Sequence, residues 1–246
     1  MTTILALDSS SENCSVALYH EQCMSLSSEH APRKHTQLML PLLKQELANR
    51  CLALADVNAI AFGSGPGSFT GIRIAAGVAQ GLAFGLDIPI YAISNLKALA
   101  LQSYLENNIP IVLASIDARM GEVYWGLFEV SEEEIPISDK SDVKSNIKHY
   151  HAKTIIKEQV SVPGRVIISE QLFNKGIAGI GSGTSLLSEE ITLSMKEKNI
   201  DAQPNSDTIA YLAQTDIISG VLGDLKDALP SYVRDTVTWN KLPGRE

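Results

Sequence analysis

Short apolar runs and polar turns alternate along the first third of the chain. Thr3 to Leu7 is an apolar run of strand length, and Asp8, Ser9, Ser10 and Ser11 form a polar turn behind it. Cys14 to Tyr19 reads as a second strand and Met24 to Ser28 as a third, a spacing that predicts antiparallel neighbours. A helix is predicted next, from Thr36 as candidate N-cap to about Asn49. Leu38, Leu42 and Leu43, with Met39 and Leu47, recur in it at helical spacing and mark one apolar face. Pro41 is expected to distort its first turns, because proline has no N–H to donate. Val57 to Phe62 predicts a buried strand, followed by the glycine-rich stretch Gly63 to Gly71. A helix from about Thr70 to Gly85, a strand over Ile88 to Ile93 and a helix from Leu96 to about Glu106 complete this region.

The helix over 70–85 is small-sided. Gly77, Gly81 and Gly85 fall at i, i+4 and i+8, beside Ala75, Ala76, Ala79 and Ala83. An interior glycine costs about 1 kcal/mol relative to alanine, so three of them call for compensation by close backbone approach. Packing on the protein's own sheet and a helix-to-helix interface with a partner both supply it, and spacing alone does not choose between them.

A polar break at Glu106 to Pro110 divides the chain into residues 1–108 and 109–246. The second part opens with Ile111 to Ile116, turns at Asp117 to Glu122 and returns as Val123 to Phe128, the pattern of a hairpin. Ser131 to Val162 is polar and charged. Its lysines (Lys140, Lys144, Lys148, Lys153, Lys157) are diluted by Asp139, Asp142 and Glu158, so it reads as solvated surface. Any direct contact with nucleic acid is expected from this segment. Ile177 to Gly183 reads as a strand running into a glycine turn. A last helix over about 206–219 is expected to pack back on the first part, ahead of an irregular tail, Pro230 to Asp235. No repeat of solenoid period is present.

Composition narrows the class. The chain has 246 residues, 45% hydrophobic and 20% charged, which excludes disordered, collagenous and disulfide-stapled proteins. Twenty Lys and Arg stand against 28 Asp and Glu, a formal charge of −8. Autonomous nucleic-acid binders carry a basic excess, because phosphate neutralisation supplies most of their affinity; here a partner is expected to bring the cationic surface. Cys14, Cys23 and Cys51 lack metal-ligand spacing and fit a reducing compartment. The N-terminus shows no basic leader, and the apolar stretch Ile74 to Leu86 is shorter than a membrane span. A cytoplasmic protein is expected.

Four motifs occur in order: Ile4-Leu-Ala-Leu-Asp-Ser-Ser10, Gly65-Pro-Gly-Ser-Phe-Thr-Gly-Ile-Arg73, Asp117-Ala-Arg-Met-Gly-Glu-Val-Tyr124 and Pro230-Ser-Tyr-Val-Arg-Asp235. Together they make the chain resemble the TsaB (YeaZ) family of bacterial tRNA-modification proteins, from Ile4 to Asp235. The resemblance singles out Asp8, Gly65, Pro66, Gly67, Ser68, Thr70, Gly71, Arg73, Asp117 and Arg119. It implies an α/β fold of the actin/sugar-kinase/Hsp70-like (ASKHA) type, with two related lobes, the second reduced. It also implies a non-catalytic scaffold that binds a TsaD-type catalytic subunit, which places N6-threonylcarbamoyl on adenosine 37 of ANN-decoding tRNA. A TsaE-type ATPase and tRNA are then met through the complex, and the chain pairs with itself when alone. Leu38, Leu42, Leu43, Gly77, Gly81 and Gly85 are the expected partner surface.

Two departures bear on chemistry. The catalytic relative carries a His-x-x-x-His metal pair where this chain has Asn95 and Leu99, so no metal is expected here; the i, i+4 spacing puts both positions on one helix face. Active superfamily members use Asp-x-Gly after the first strand, where this chain reads Asp8-Ser9-Ser10. An ATP-dependent phosphotransferase or hydrolase of actin-like fold is the alternative reading, supported by Asp8 and Gly181-Ser-Gly183. No catalytic set and no cofactor are expected.

Overall fold

The computed structural model describes residues 2–136 and 146–233. Two five-stranded sheets account for most of them. The first has the order β3-β2-β1-β4-β5, from β1 (Ile4–Asp8), β2 (Asn13–His20), β3 (Cys23–His30), β4 (Ala59–Gly65) and β5 (Ile90–Ser94). The second repeats it as β8-β7-β6-β9-β10, from β6 (Ile111–Arg119), β7 (Glu122–Pro136), β8 (Asn146–Ser161), β9 (Ile177–Ile180) and β10 (Met195–Asn199). In each sheet the first three strands form an antiparallel meander and the last two add in parallel.

The helices repeat too. α1 (His35–Asn49), α2 (Phe69–Leu86) and α3 (Asn95–Asn107) hold the same places in the first lobe as α4 (Glu170–Lys175), α5 (Glu189–Leu193) and α6 (Ser206–Ile218) in the second. α4 and α5 have 6 and 5 residues against 15 and 18 in α1 and α2, so the second lobe is reduced. This is a mixed α/β fold of two related ASKHA lobes.

Burial follows from the layers. β1 is buried at all five positions because both of its faces are covered. Leu5 and Leu7 point into the cluster formed with α1 and α2, whereas Ile4 and Ala6 point to α3 and α6. α3 and α6 lie between the sheets in one shared core, and the far face of the second sheet packs on α4 and α5. α6 joins the lobes: Ser206 N–H donates to Ser15 Oγ on β2 at 3.1 Å, and Thr215 Oγ donates to the Tyr150 carbonyl on β8 at 3.0 Å. The chain after α6 runs against the free edge of β5, with Gly223 at the Ile90 backbone, and then reaches the end of β4, where the Ser231 N–H donates to the Ser64 carbonyl at 2.7 Å.

Several local expectations are corrected. α1 starts at His35 and Thr36 is not its cap; turns onto the Ala31 and Lys34 carbonyls have already begun the helix. Pro41 does not interrupt α1. Both Pro41 and Gln37, whose carbonyl loses its helical donor, are exposed, so water can take that place. The segment Ser131 to Val162 is not simply solvated surface. β7 and β8 run through it as a long antiparallel pair, and the abundance of Glu and Lys at its outward positions hides the period of two.

Candidate functional site

Most of the motif residues meet where β1 and β4 end. The turn after β1 and the loop after β4 are pressed together: Ser68 N–H donates to the Ser10 carbonyl at 2.6 Å, and Ser9 Oγ donates to the Gly71 carbonyl at 2.8 Å. A Cβ on Gly71 would stand 1.7 Å from the Ser9 carbonyl oxygen, so only glycine allows this approach. Gly65 has φ +113°, which also selects glycine. Ser68 then caps α2 by accepting from the Gly71 N–H at 3.3 Å. Pro66 is buried; Thr70 and Arg73 face solvent.

Asp8 is the polar centre of this junction and is fully buried. Its Oδ2 accepts from the Ser10 N–H (3.1 Å) and Oγ (2.9 Å), and its Oδ1 accepts from Asn95 Nδ2 (3.1 Å). Asn95 Oδ1 in turn accepts from the Gly65 N–H at 3.1 Å. Burial pushes the Asp8 carboxyl up to about 7, and the Ser10 and Asn95 hydrogen bonds only partly offset it. Asn95 is therefore a structural member of the junction. Leu99, one turn on in α3, is fully buried with its Cδ1 facing Gly181. The positions of the histidine pair thus hold an amide committed to Asp8 and Gly65 and a hydrocarbon side chain. Among the described residues, no three His, Cys, Asp or Glu side chains group where they could hold a metal ion.

Asp117 and Arg119 stand apart from Asp8, at the β6–β7 turn. Asp117 accepts from the Arg119 N–H at 2.7 Å and pairs with its guanidinium at 3.2 Å, while the Asp117 N–H donates to Ser182 Oγ at 3.1 Å. Met120 and Gly121 both have positive φ, as a tight hairpin turn requires. These two motif residues shape the loops of the second lobe.

The two faces of α2 differ sharply. Ala75, Ala76, Ala79 and Ala83 are buried on the first sheet, while Gly77, Gly81 and Gly85 are exposed with nothing within 4 Å of an added Cβ. The glycines therefore do not pack on the protein's own sheet. Phe69 (58% exposed) and Phe84 (78% exposed) extend this bare ridge at its two ends. Arg73 lies 3.7 Å over the Phe69 ring and donates to Tyr232 Oη at 3.1 Å, which brings the second and last motifs together. Arg234 and Asp235 of the tail motif lie outside the described residues. The aromatic ends were not singled out from the sequence, although Phe69, Arg73, Gly77, Gly81 and Phe84 recur at helical spacing opposite the alanines.

One part of the expected surface is corrected. Leu42 and Leu43 are 2% and 4% exposed, inside the core beneath α1, and Leu38 is half-buried against the same core. Their spacing marks the inward face of α1, because the sheet below needs an apolar cover.

The lysine segment meets acid across the β7–β8 ladder. Lys148 pairs with Glu132 at 2.8 Å and stands opposite Glu134, and Lys153 stands opposite Glu129. Lys140 and Lys144 lie outside the described residues. α2 is also the one helix among the described residues whose length and apolarity would suffice for a membrane span; here a third of it is buried inside the fold.

The model of the family described as TsaD, tRNA N6-adenosine threonylcarbamoyltransferase, matches residues 19–237. A Haemophilus influenzae protein named tRNA threonylcarbamoyladenosine biosynthesis protein TsaB is 41% identical over 244 residues, covering 99% of this chain and 98% of the relative. The Escherichia coli protein of the same name is 36% identical over 245 residues, covering 99% of each. The solved structure of YeaZ from Pseudomonas aeruginosa superposes with a TM-score of 0.79 at 35% identity, over 94% of this chain and all of that one. A second Pseudomonas aeruginosa structure, of a protein described as similar to the peptidase YeaZ, gives 0.80 at 36% identity, over 95% of this chain and all of that one.

Proposed function

This chain belongs to the TsaB (YeaZ) family of tRNA threonylcarbamoyladenosine biosynthesis proteins, and from that membership we propose that it is the pathway's non-catalytic scaffold, binding the TsaD-type catalytic subunit through α2. The observation that carries the proposal is the exposed ridge Gly77/Gly81/Gly85, which leaves the α2 backbone open to a facing helix, with Phe69 and Phe84 as apolar anchors at its ends. Side chains on both helices ordinarily hold helix axes 8–10 Å apart. A glycine ridge permits closer approach, and exposed aromatic and arginine side chains are typical of interface centres.

Inactivity alone is supported by Asn95 and Leu99, neither of which presents a metal ligand to solvent. The closed Asp8 junction opposes the phosphotransferase alternative. Ser9 and Ser10 fill the place of a phosphate loop, and their polar groups are already committed to Asp8 and Gly71. In the absence of its partner the chain pairs with itself through the same ridge. TsaE and tRNA are reached through the assembled complex, in the cytoplasm. A scaffold of this kind raises activity by binding preferentially to the competent state of its partner.

Gly81→Arg tests the interface. With open space at that Cβ, the variant folds as the parent does, while a long cation on the ridge blocks a facing helix. Loss of TsaD binding in a titration, with an unchanged circular dichroism spectrum, is the expected result. Unchanged affinity of the folded variant would place the interface elsewhere.

A further inference from the structure

A cleft of about 550 Å³ opens between the edge strands β5 and β8, its wall completed by α3, α6 and the tail. Charges of both signs line it: Lys97 from α3, Lys153 and Glu158 from β8, Asp216 from α6 and Asp227 from the tail. They do not cancel one another. Among the described residues, none of the five has an opposite charge within 4.0 Å. Lys97 is near enough to both Glu158 and Asp216 to oppose the upward push that burial gives their carboxyls, yet it forms an ion pair with neither. Four hydroxyls in the wall are occupied: Ser64 Oγ donates to the Ile93 carbonyl, Thr215 Oγ to the Tyr150 carbonyl, Ser94 Oγ to Glu158 and the Tyr150 phenol to Glu132. With His151 close enough to act on Asp216, the charged groups dominate what the cleft offers a ligand.

Their arrangement selects a ligand class. An apolar molecule would strand five charges, at several kcal/mol for each one fully desolvated. A multivalent anion such as a nucleotide phosphate would face three carboxylates, and a simple cation would face two ammonium groups. A small zwitterion meets both signs, and the volume lies within the range of ordinary small-molecule sites. We propose that this cleft binds a free α-amino acid, its ammonium group toward Asp216 and Glu158 and its carboxylate toward Lys97 and Lys153. The site is separate from the α2 ridge and does not depend on the scaffold reading.

The test is a calorimetric titration of the full chain with glycine and with L-threonine, using propionate and propylamine as single-charge controls. Saturable one-to-one binding of the amino acids is expected, at least about tenfold tighter than either control. Asp216→Asn and Lys153→Gln should each weaken it by about tenfold or more. Lys153 is exposed, so its variant stays folded even if Asp216→Asn does not. No saturation by about 50 mM ligand, binding of the controls as tight as that of the amino acids, or unchanged affinity in folded Lys153→Gln would each overturn the proposal.

Discussion

Asp8→Asn is the most informative single perturbation of the junction between the β1 and β4 loops. The carboxyl moves from 3.8 to about 7 on folding because it is fully buried. The folded chain therefore holds a proton there that the unfolded chain has released, and stability falls as pH rises toward 7. A tenfold change in a protonation equilibrium is worth about 1.4 kcal/mol, so Asp8 alone removes on the order of 3 kcal/mol of stability between pH 5 and pH 8. Asparagine is isosteric and does not titrate, but its NH2 brings two donors, where the protonated carboxyl has one and the carboxylate none, to a site whose Ser10 and Asn95 groups already donate to both oxygens. That mismatch costs about 1–3 kcal/mol at every pH. The variant is thus expected to be less stable than the parent at pH 5 and similar or more stable at pH 8. Urea unfolding at a series of pH values, followed by circular dichroism, measures the difference between the two proteins; taking that difference cancels Glu158, Asp207 and Asp216, whose carboxyls burial also raises. A constant difference from pH 5 to pH 8 would refute the reasoning, since it would mean that Asp8 ionises in the folded chain as it does in water.

Two glycine substitutions should have opposite signs. Gly71→Ala puts a methyl 1.7 Å from a backbone oxygen and is expected to cost about 3 kcal/mol or more, whereas Gly77→Ala meets open space within a helix and should stabilise by about 0.5–1 kcal/mol, both read from unfolding midpoints. The isolated chain, at −8 and with Lys148 and Lys153 set opposite glutamates, should show no tRNA mobility shift at physiological salt, while the complex with TsaD does; a shift by the chain alone that weakens steeply with salt would restore a direct contact.

The family and the order of elements were legible in the sequence because they rest on local signals. The apolar run Ile4–Leu7, the turn residues of the motifs and the leucine and alanine periodicities specify strands, loops and helix faces through interactions a few residues apart. Asn95 and Leu99 were marked by the resemblance, as the positions that match the histidine pair of the catalytic relative. Outward and inward were harder to read. The spacing of Leu42 and Leu43 reveals an apolar face, but whether that face meets the chain's own sheet or another protein depends on where β1, β2 and β4 lie. The same uncertainty applied to Gly77, Gly81 and Gly85, and tertiary packing resolved the two cases in opposite directions: leucines in, glycines out. Only the folded chain could bring Asp8, Gly65 and Asn95 into one hydrogen-bonded junction, or set Lys97 beside Glu158 and Asp216 across two lobes. The twofold repeat of the sheets was expected only through the family resemblance; no internal repeat in the sequence shows it, and the matching strand orders of the two sheets make it visible. Periodicity reports what a segment can bury; what it does bury, and which distant groups meet, is fixed by the long-range pairing of strands, on which neighbouring residues carry no information.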